Sequence, residues 1–161
     1  MSILTDFQEI LGMYQPGAII AGGAVRDFLY GKPPKDIDVF IPLGCEPDIK
    51  STNLWKEVKW DYVFKDKMRE YEALGNLRGL DQFFWKDHTV QLISIHEEDA
   101  YEKVRTFDLG ICKCYFDGYL VYLDDFIKDK EDGLITNFKP DSPRCVDRAH
   151  RIAEKLGMGV R

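Results

Sequence analysis

No stretch of this chain approaches the run of about 20 apolar residues that a membrane helix needs. Its first residues, Met-Ser-Ile-Leu-Thr-Asp, carry no basic segment ahead of an apolar one. Neither a membrane span nor a secretory signal is therefore expected. Positive charge is short as well: 22 Lys and Arg stand against 28 Asp and Glu, a net charge of −6. That balance excludes the broad basic footprint of a protein that grips nucleic acid along its length. A few arginines still suffice to hold one RNA end. The four cysteines, Cys45, Cys112, Cys114 and Cys145, lack the paired spacing of a zinc site. Cys112 and Cys114, two apart on a predicted strand, read as adjacent buried thiols. The chain is expected to be cytoplasmic and reduced. The three histidines, His88, His96 and His150, have no serine or cysteine partner in their sequence surroundings, so solvated or capping roles are expected of them. Repeats and low-complexity segments are absent.

What remains is a globular composition, 161 residues with 45% hydrophobic, enough to bury one core. Leu4, Phe7, Ile10, Leu11 and Tyr14 recur at helical spacing and predict an amphipathic helix over 3–14. Four apolar residues, 18–21, form a short strand that Gly22-Gly23 breaks. Residues 24–30 read as a helix of about two turns closed by Gly31, and a second strand starts after Lys35. Turn signals follow over 42–57, with a short helix from Ser51. Val58, Trp60, Tyr62 and Phe64 suggest a strand, with a helix over 61–74 as the alternative. Gly75 to Gly79 reads as a loop, and 83–95 as a hairpin turning at Lys86-Asp87-His88. An acid-started helix is expected over 97–104, and a strand over 107–116 with a tight turn at Asp117-Gly118 and its return over 119–123. The acidic cluster of Asp124, Asp125 and 129–132 reads as a solvated surface.

The chemistry concentrates in residues 17–41. Asp36 and Asp38 alternate with Ile37 and Val39 on one strand, so both carboxylates share a face and the apolar pair takes the other. Two neighbouring carboxylates repel unless a cation lies between them, and oxygen ligands of this kind suit Mg²⁺. The Gly22-Gly23 turn opens a helix, whose bare N–H groups can seat phosphate. A phosphate seat beside metal carboxylates points to nucleotide chemistry.

The order Gly22-Gly23-Ala24-Val25-Arg26-Asp27-Phe28-Leu29-Tyr30-Gly31, followed by Asp36-Ile37-Asp38, resembles the head domain of class II tRNA nucleotidyltransferases (CCA-adding enzymes) and bacterial poly(A) polymerases. These belong to the DNA polymerase beta superfamily. Every fixed position of the family's Gly-Gly-x-Val-Arg-Asp-x-Leu-x-Gly and Asp-x-Asp motifs is filled. Later stretches extend the resemblance. Residues 107–113 align loosely with the family's Arg-Arg-Asp strand, keeping Asp108 and losing both arginines, with Arg105 the local substitute. Residues 148–157 look like the helix that opens the family's neck. The family's base-selecting Glu-Asp-x-x-Arg motif has no counterpart here, so weak base choice is the expectation.

The resemblance implies an α/β (α+β) fold, a mixed sheet of about five strands with helices mainly on one face. It implies a head domain over 1–140 and a neck-like helix over 141–161. It further implies transfer of a nucleoside monophosphate from a nucleoside triphosphate to an RNA 3′-hydroxyl, that of tRNA being one candidate, with two Mg²⁺ ions at Asp36 and Asp38. Gly22, Gly23, Arg26, Asp27, Lys35 and Arg105 would bind the nucleotide. The superfamily's third carboxylate falls at Gln91; Asp108 either takes that catalytic role or serves as a sugar-contacting or strand-end aspartate. Two alternatives stand beside this reading. One is a protein-nucleotidylating or toxin-type transferase with a protein acceptor. The other is a catalytically silent module that binds nucleotide or RNA ends.

Overall fold

The computed structural model describes residues 2–14, 16–34, 36–45, 59–60 (backbone only) and 77–161. The helix expected from Ser51, the alternatives over 61–74 and Lys35 lie outside the described residues, as do residues 75 and 76 of the loop expected over 75–79.

Helix α1 (Ile3–Leu11) starts where the Ser2 hydroxyl accepts the Leu4 N–H, and buries Phe7 and Ile10. It ends at Leu11, three residues before the predicted limit, with Gly12 as its C-cap. Strand β1 (Ile19–Ala21) runs into Gly22, and α2 (Gly23–Leu29) leads back to β2 (Asp36–Ile41). Then come β3 (Lys59–Trp60), β4 (Gly79–Trp85) and β5 (His88–Ser94), the last two joined by a two-residue turn with Lys86 at φ 52°. Asp99 caps α3 (Ala100–Arg105) by accepting the Tyr101 N–H. A 3₁₀ turn (Gly110–Cys112), β6 (Cys114–Phe116), β7 (Leu120–Tyr122), α4 (Asp124–Asp132), β8 (Leu134–Ile135), α5 (Pro143–Leu156) and β9 (Gly159–Val160) complete the order.

Among the described residues the main sheet has seven strands in the order β3-β4-β5-β2-β1-β6-β7, where about five were expected. Of the pairings described in it β2 and β5 alone are parallel; β8 and β9 form a separate parallel pair. Register fixes the two faces. Ile20 lies opposite Val39 and Phe116, and α1 packs there, with the Phe7 ring 5.6 Å from that of Phe116. The opposite face carries Asp36, Asp38 and Phe40. Segment 100–107 covers its far end, where Phe107 meets Phe40 at 5.4 Å and Tyr101 meets Tyr115 at 6.1 Å. The core thus occupies both sides of the sheet and leaves the Asp36 end of one face open.

Two expectations require correction. Residues 107–116 are not one strand: the chain bridges Leu109 to Asn137, turns through the 3₁₀ segment, and pairs only from Cys114. The acidic cluster of 124–132 is solvated only in part: it lies on helix α4, where Asp124, Glu131 and Asp132 are exposed but Asp129 is 1% exposed. Its carboxylate accepts the Thr136 N–H at 2.8 Å and hydroxyl at 2.7 Å, tying α4 to the strand after it.

Candidate nucleotidyl-transfer site

Strand β2 presents Asp36 exposed and Asp38 half-buried, while Ile37 and Val39 between and after them are fully buried on the other face. The alternation read from the sequence therefore holds residue for residue. In register, Asp36 faces Thr89 and Asp38 faces Gln91 on parallel β5, and these face Phe84 and Gln82 on β4. Gln82 is 1% and Gln91 6% exposed, and the Gln91 amide donates to the Gln82 carbonyl at 3.0 Å. The position expected for a third acid is thus occupied by an amide pair directly beside Asp38. Gln82 and Phe84 were not singled out by sequence; only the hairpin register identifies them.

Gly22 sits at the end of β1 with φ 77° and ψ −130°, a backbone conformation open to glycine alone, and it caps α2. Its N–H donates to the Cys114 carbonyl at 3.2 Å, and its carbonyl accepts the Arg26 N–H at 3.0 Å. A Cβ on Gly23 would lie 3.5 Å from Arg26 Nη2, so the guanidinium lies directly against the turn. Arg26 is buried, and its Nε and Nη2 both donate to Asp27 Oδ1, at 3.0 and 2.9 Å. Nη1 donates to the Cys112 sulfur at 3.4 Å. Asp27 Oδ2 accepts Lys155 Nζ from α5 at 2.6 Å. Asp27 therefore orients Arg26, and both belong to a polar network that ties the turn to α5.

Asp108 lies in the same network and not with the carboxylate pair. Arg148 Nη1 donates to both its oxygens, at 2.8 and 2.6 Å, and the Cys145 thiol donates to Oδ2 at 3.0 Å. Burial pushes its carboxyl up, but the thiol and the guanidinium outweigh that and hold it below the usual carboxylate range. Among the described residues no three His, Cys, Asp or Glu side chains gather as a metal site. Asp108, expected either as a third acid beside Asp36 and Asp38 or as a sugar-contacting or strand-end aspartate, has both oxygens engaged by α5. Arg105 is exposed on α3, paired to Glu102 at 3.3 Å and 5.8 Å from the Tyr101 ring. The polar network itself escaped the sequence reading, because Cys112, Cys145, Arg148 and Lys155 meet only through tertiary packing.

The donor set fits a divalent cation delivered with substrate. Asp36 and Asp38 offer oxygen alone, on one face, at the open end of a rigid strand. Mg²⁺ takes one or two carboxylates and completes its shell with water and phosphate oxygens. A cavity of about 550 Å³ lies at the other end of β1, lined by residues such as Gln8, Tyr14, Ile19 and Tyr115, away from this pair.

Comparison with known proteins follows the same lines. The CCA-adding enzyme of Bacillus stearothermophilus in complex with CTP superposes with a TM-score of 0.65 at 18% identity, covering 100% of this chain and 42% of that one. The Thermotoga maritima CCA-adding enzyme complexed with tRNA gives 0.61 at 19% identity, covering 99% and 39%. A tRNA nucleotidyltransferase complexed with primer tRNA and an ATP analogue gives 0.58 at 18%, covering 99% and 46%. The chain thus spans less than half the length of these structures, and the likeness establishes a nucleotidyltransferase fold. No curated protein matches it in sequence. The model of the Gabija anti-defense 2 family matches residues 2–132, and the chain belongs to that family.

Proposed function

We propose that this member of the Gabija anti-defense 2 family is a metal-dependent nucleotidyltransferase that moves a nucleoside monophosphate from a nucleoside triphosphate to an RNA 3′-hydroxyl, releasing pyrophosphate. The observation that carries the reading is the carboxylate pair of Asp36 and Asp38 on one open strand face, one strand away from the glycine turn at Gly22-Gly23. Asp36 and Asp38 would hold the divalent ions, which supply charge neutralisation on the triphosphate and a lowered pKa for the acceptor hydroxyl. The Gly22 N–H, expected to seat phosphate, is taken by the Cys114 carbonyl, so the Gly23 amide would meet the terminal phosphates at this turn. Arg26, fixed against the turn by Asp27, would add a positive charge that needs no reorganisation as charge develops on pyrophosphate. Lys35 would add a positive charge for the nucleotide. Structural neighbours that bind CTP, an ATP analogue and tRNA support the substrate classes.

A second reading changes the acceptor. The family's description as anti-defense favours a macromolecule of a defence system, and a protein acceptor then replaces RNA. The net charge of −6 supports this, since it offers little to hold RNA along its backbone. Incubating the protein with each α-labelled nucleoside triphosphate, Mg²⁺, bulk RNA and the proteins of the Gabija system separates the readings. Label on RNA supports the first and label on protein the second; label on neither, with all four nucleotides, refutes transfer.

A further inference from the structure

Phe84 is 41% exposed in the middle of a sheet face, although its neighbours Phe83 and Trp85 are buried on the other face and supply the hairpin's share of the core. Single exposed hydrophobes are common and by themselves mean little. The row in which this one stands is what matters. Register runs Phe84–Thr89–Asp36 across β4, β5 and β2, and partners in register share a face. Two strand spacings, about 10 Å, separate Phe84 from Asp36. That is within reach of the base attached to a ribose whose hydroxyl is held at Asp36. The row is open along its length, with Asp36 exposed and Thr89 half-buried, while the row behind it closes at Gln82 and Gln91.

We propose that Phe84 is a stacking platform for the terminal base of a single-stranded RNA acceptor, with the Phe84–Thr89–Asp36 row as the acceptor's track; this rests on the transferase reading above. An aromatic face holds a base without needing positive charge, and does so for every base. That mode suits a chain with net charge −6, which cannot rely on phosphate contacts. The row also gives the acceptor a place distinct from the triphosphate, which approaches from the Gly22-Gly23 side of β2. Phe84 is then a positioning and binding residue for the acceptor, and contributes nothing to nucleotide binding.

Fluorescence anisotropy of a labelled single-stranded RNA hexamer tests this with wild type, Phe84→Ala, Phe84→Leu and Phe84→Trp. The alanine and leucine variants should bind about 5- to 100-fold more weakly, with tryptophan equal to or tighter than phenylalanine. Wild-type affinity should change less than about threefold between about 50 and 200 mM salt, because few phosphates are engaged. In transfer assays Phe84→Ala should raise the KM for RNA and leave the KM for nucleotide unchanged. Hexamer binding by Phe84→Ala within twofold of wild type, or no hexamer binding by wild type, overturns the proposal. Transfer by wild type with a Phe84→Ala KM unchanged overturns stacking alone. Binding that depends on Phe84 without any transfer sustains stacking and overturns the transferase reading instead. Label on protein with no hexamer binding overturns stacking and favours the protein acceptor.

Discussion

Replacing Asp108 with alanine separates a structural aspartate from a catalytic one. The substitution removes the acceptor of two bonds from Arg148, 2.8 and 2.6 Å, and of the 3.0 Å bond from the Cys145 thiol. Breaking a fully buried ion pair from one side costs about 3–5 kcal/mol, whereas an exposed pair contributes less than about 1 kcal/mol. Asp108 is buried, but the Arg148 side chain is 38% exposed and can turn toward water, so a loss of about 2–3 kcal/mol is expected. For a chain of this size each kcal/mol moves the Tm by about 2–4 °C, giving a fall of about 4–12 °C. The effect has a pH signature. The folded-state pKa of Asp108 lies below its ordinary value, so its stabilisation is complete above the unfolded pKa of about 3.9 and is lost as pH falls through the folded value. The gap between wild type and variant should stay constant from about pH 5 to 8 and narrow below about pH 4. Thermal unfolding followed by circular dichroism across that range reads both. A variant Tm within about 1 °C of wild type at neutral pH, or a gap that persists unchanged in acid, would refute the reasoning.

Asp38→Ala should behave oppositely: transfer abolished, with the Tm unchanged or raised in metal-free buffer because one of two neighbouring like charges is gone. Gly22→Ala should lower stability by about 1–3 kcal/mol through backbone strain alone, because a Cβ there has 3.8 Å of room before Phe107; urea unfolding measures it. Gly110→Ala should destabilise by at least about 1–3 kcal/mol for the contrary reason, since its Cβ would fall 2.5 Å from Asp129 Oδ2 while Thr136 pins that carboxylate; a shift of the urea midpoint reports it.

The strand–turn–helix–strand unit over residues 19–41 was legible because each part carries its own local reason. Gly22 sits where φ must be positive, and strict alternation puts Asp36 and Asp38 on one face. The 83–95 hairpin was legible too, whereas Gln91 was marked only by the resemblance, and its place beside Asp38 comes from the parallel pairing of β2 with β5. Residues 107–116 misled because their apolar run suits a strand, while the actual path is set by partners elsewhere: Asn137 for Leu109, and Cys145 and Arg148 for Asp108. Asp129 misled likewise. An acidic helix reads as solvated until Thr136 and Gly110 close over one of its carboxylates. The acceptor row was illegible for a simpler reason. Phe83, Phe84 and Trp85 are three adjacent aromatics, and only strand pairing tells which one faces the open side.

The claim on which the rest depends is that Asp36 and Asp38 bind a nucleoside triphosphate through a divalent cation. Calorimetric titration of ATP and CTP into wild type and Asp38→Asn, with Mg²⁺ and with chelator, tests it directly. Binding to wild type should require Mg²⁺ and disappear in Asp38→Asn, whose Tm should match that of wild type. Equal binding in chelator, or undiminished binding by Asp38→Asn, would contradict it.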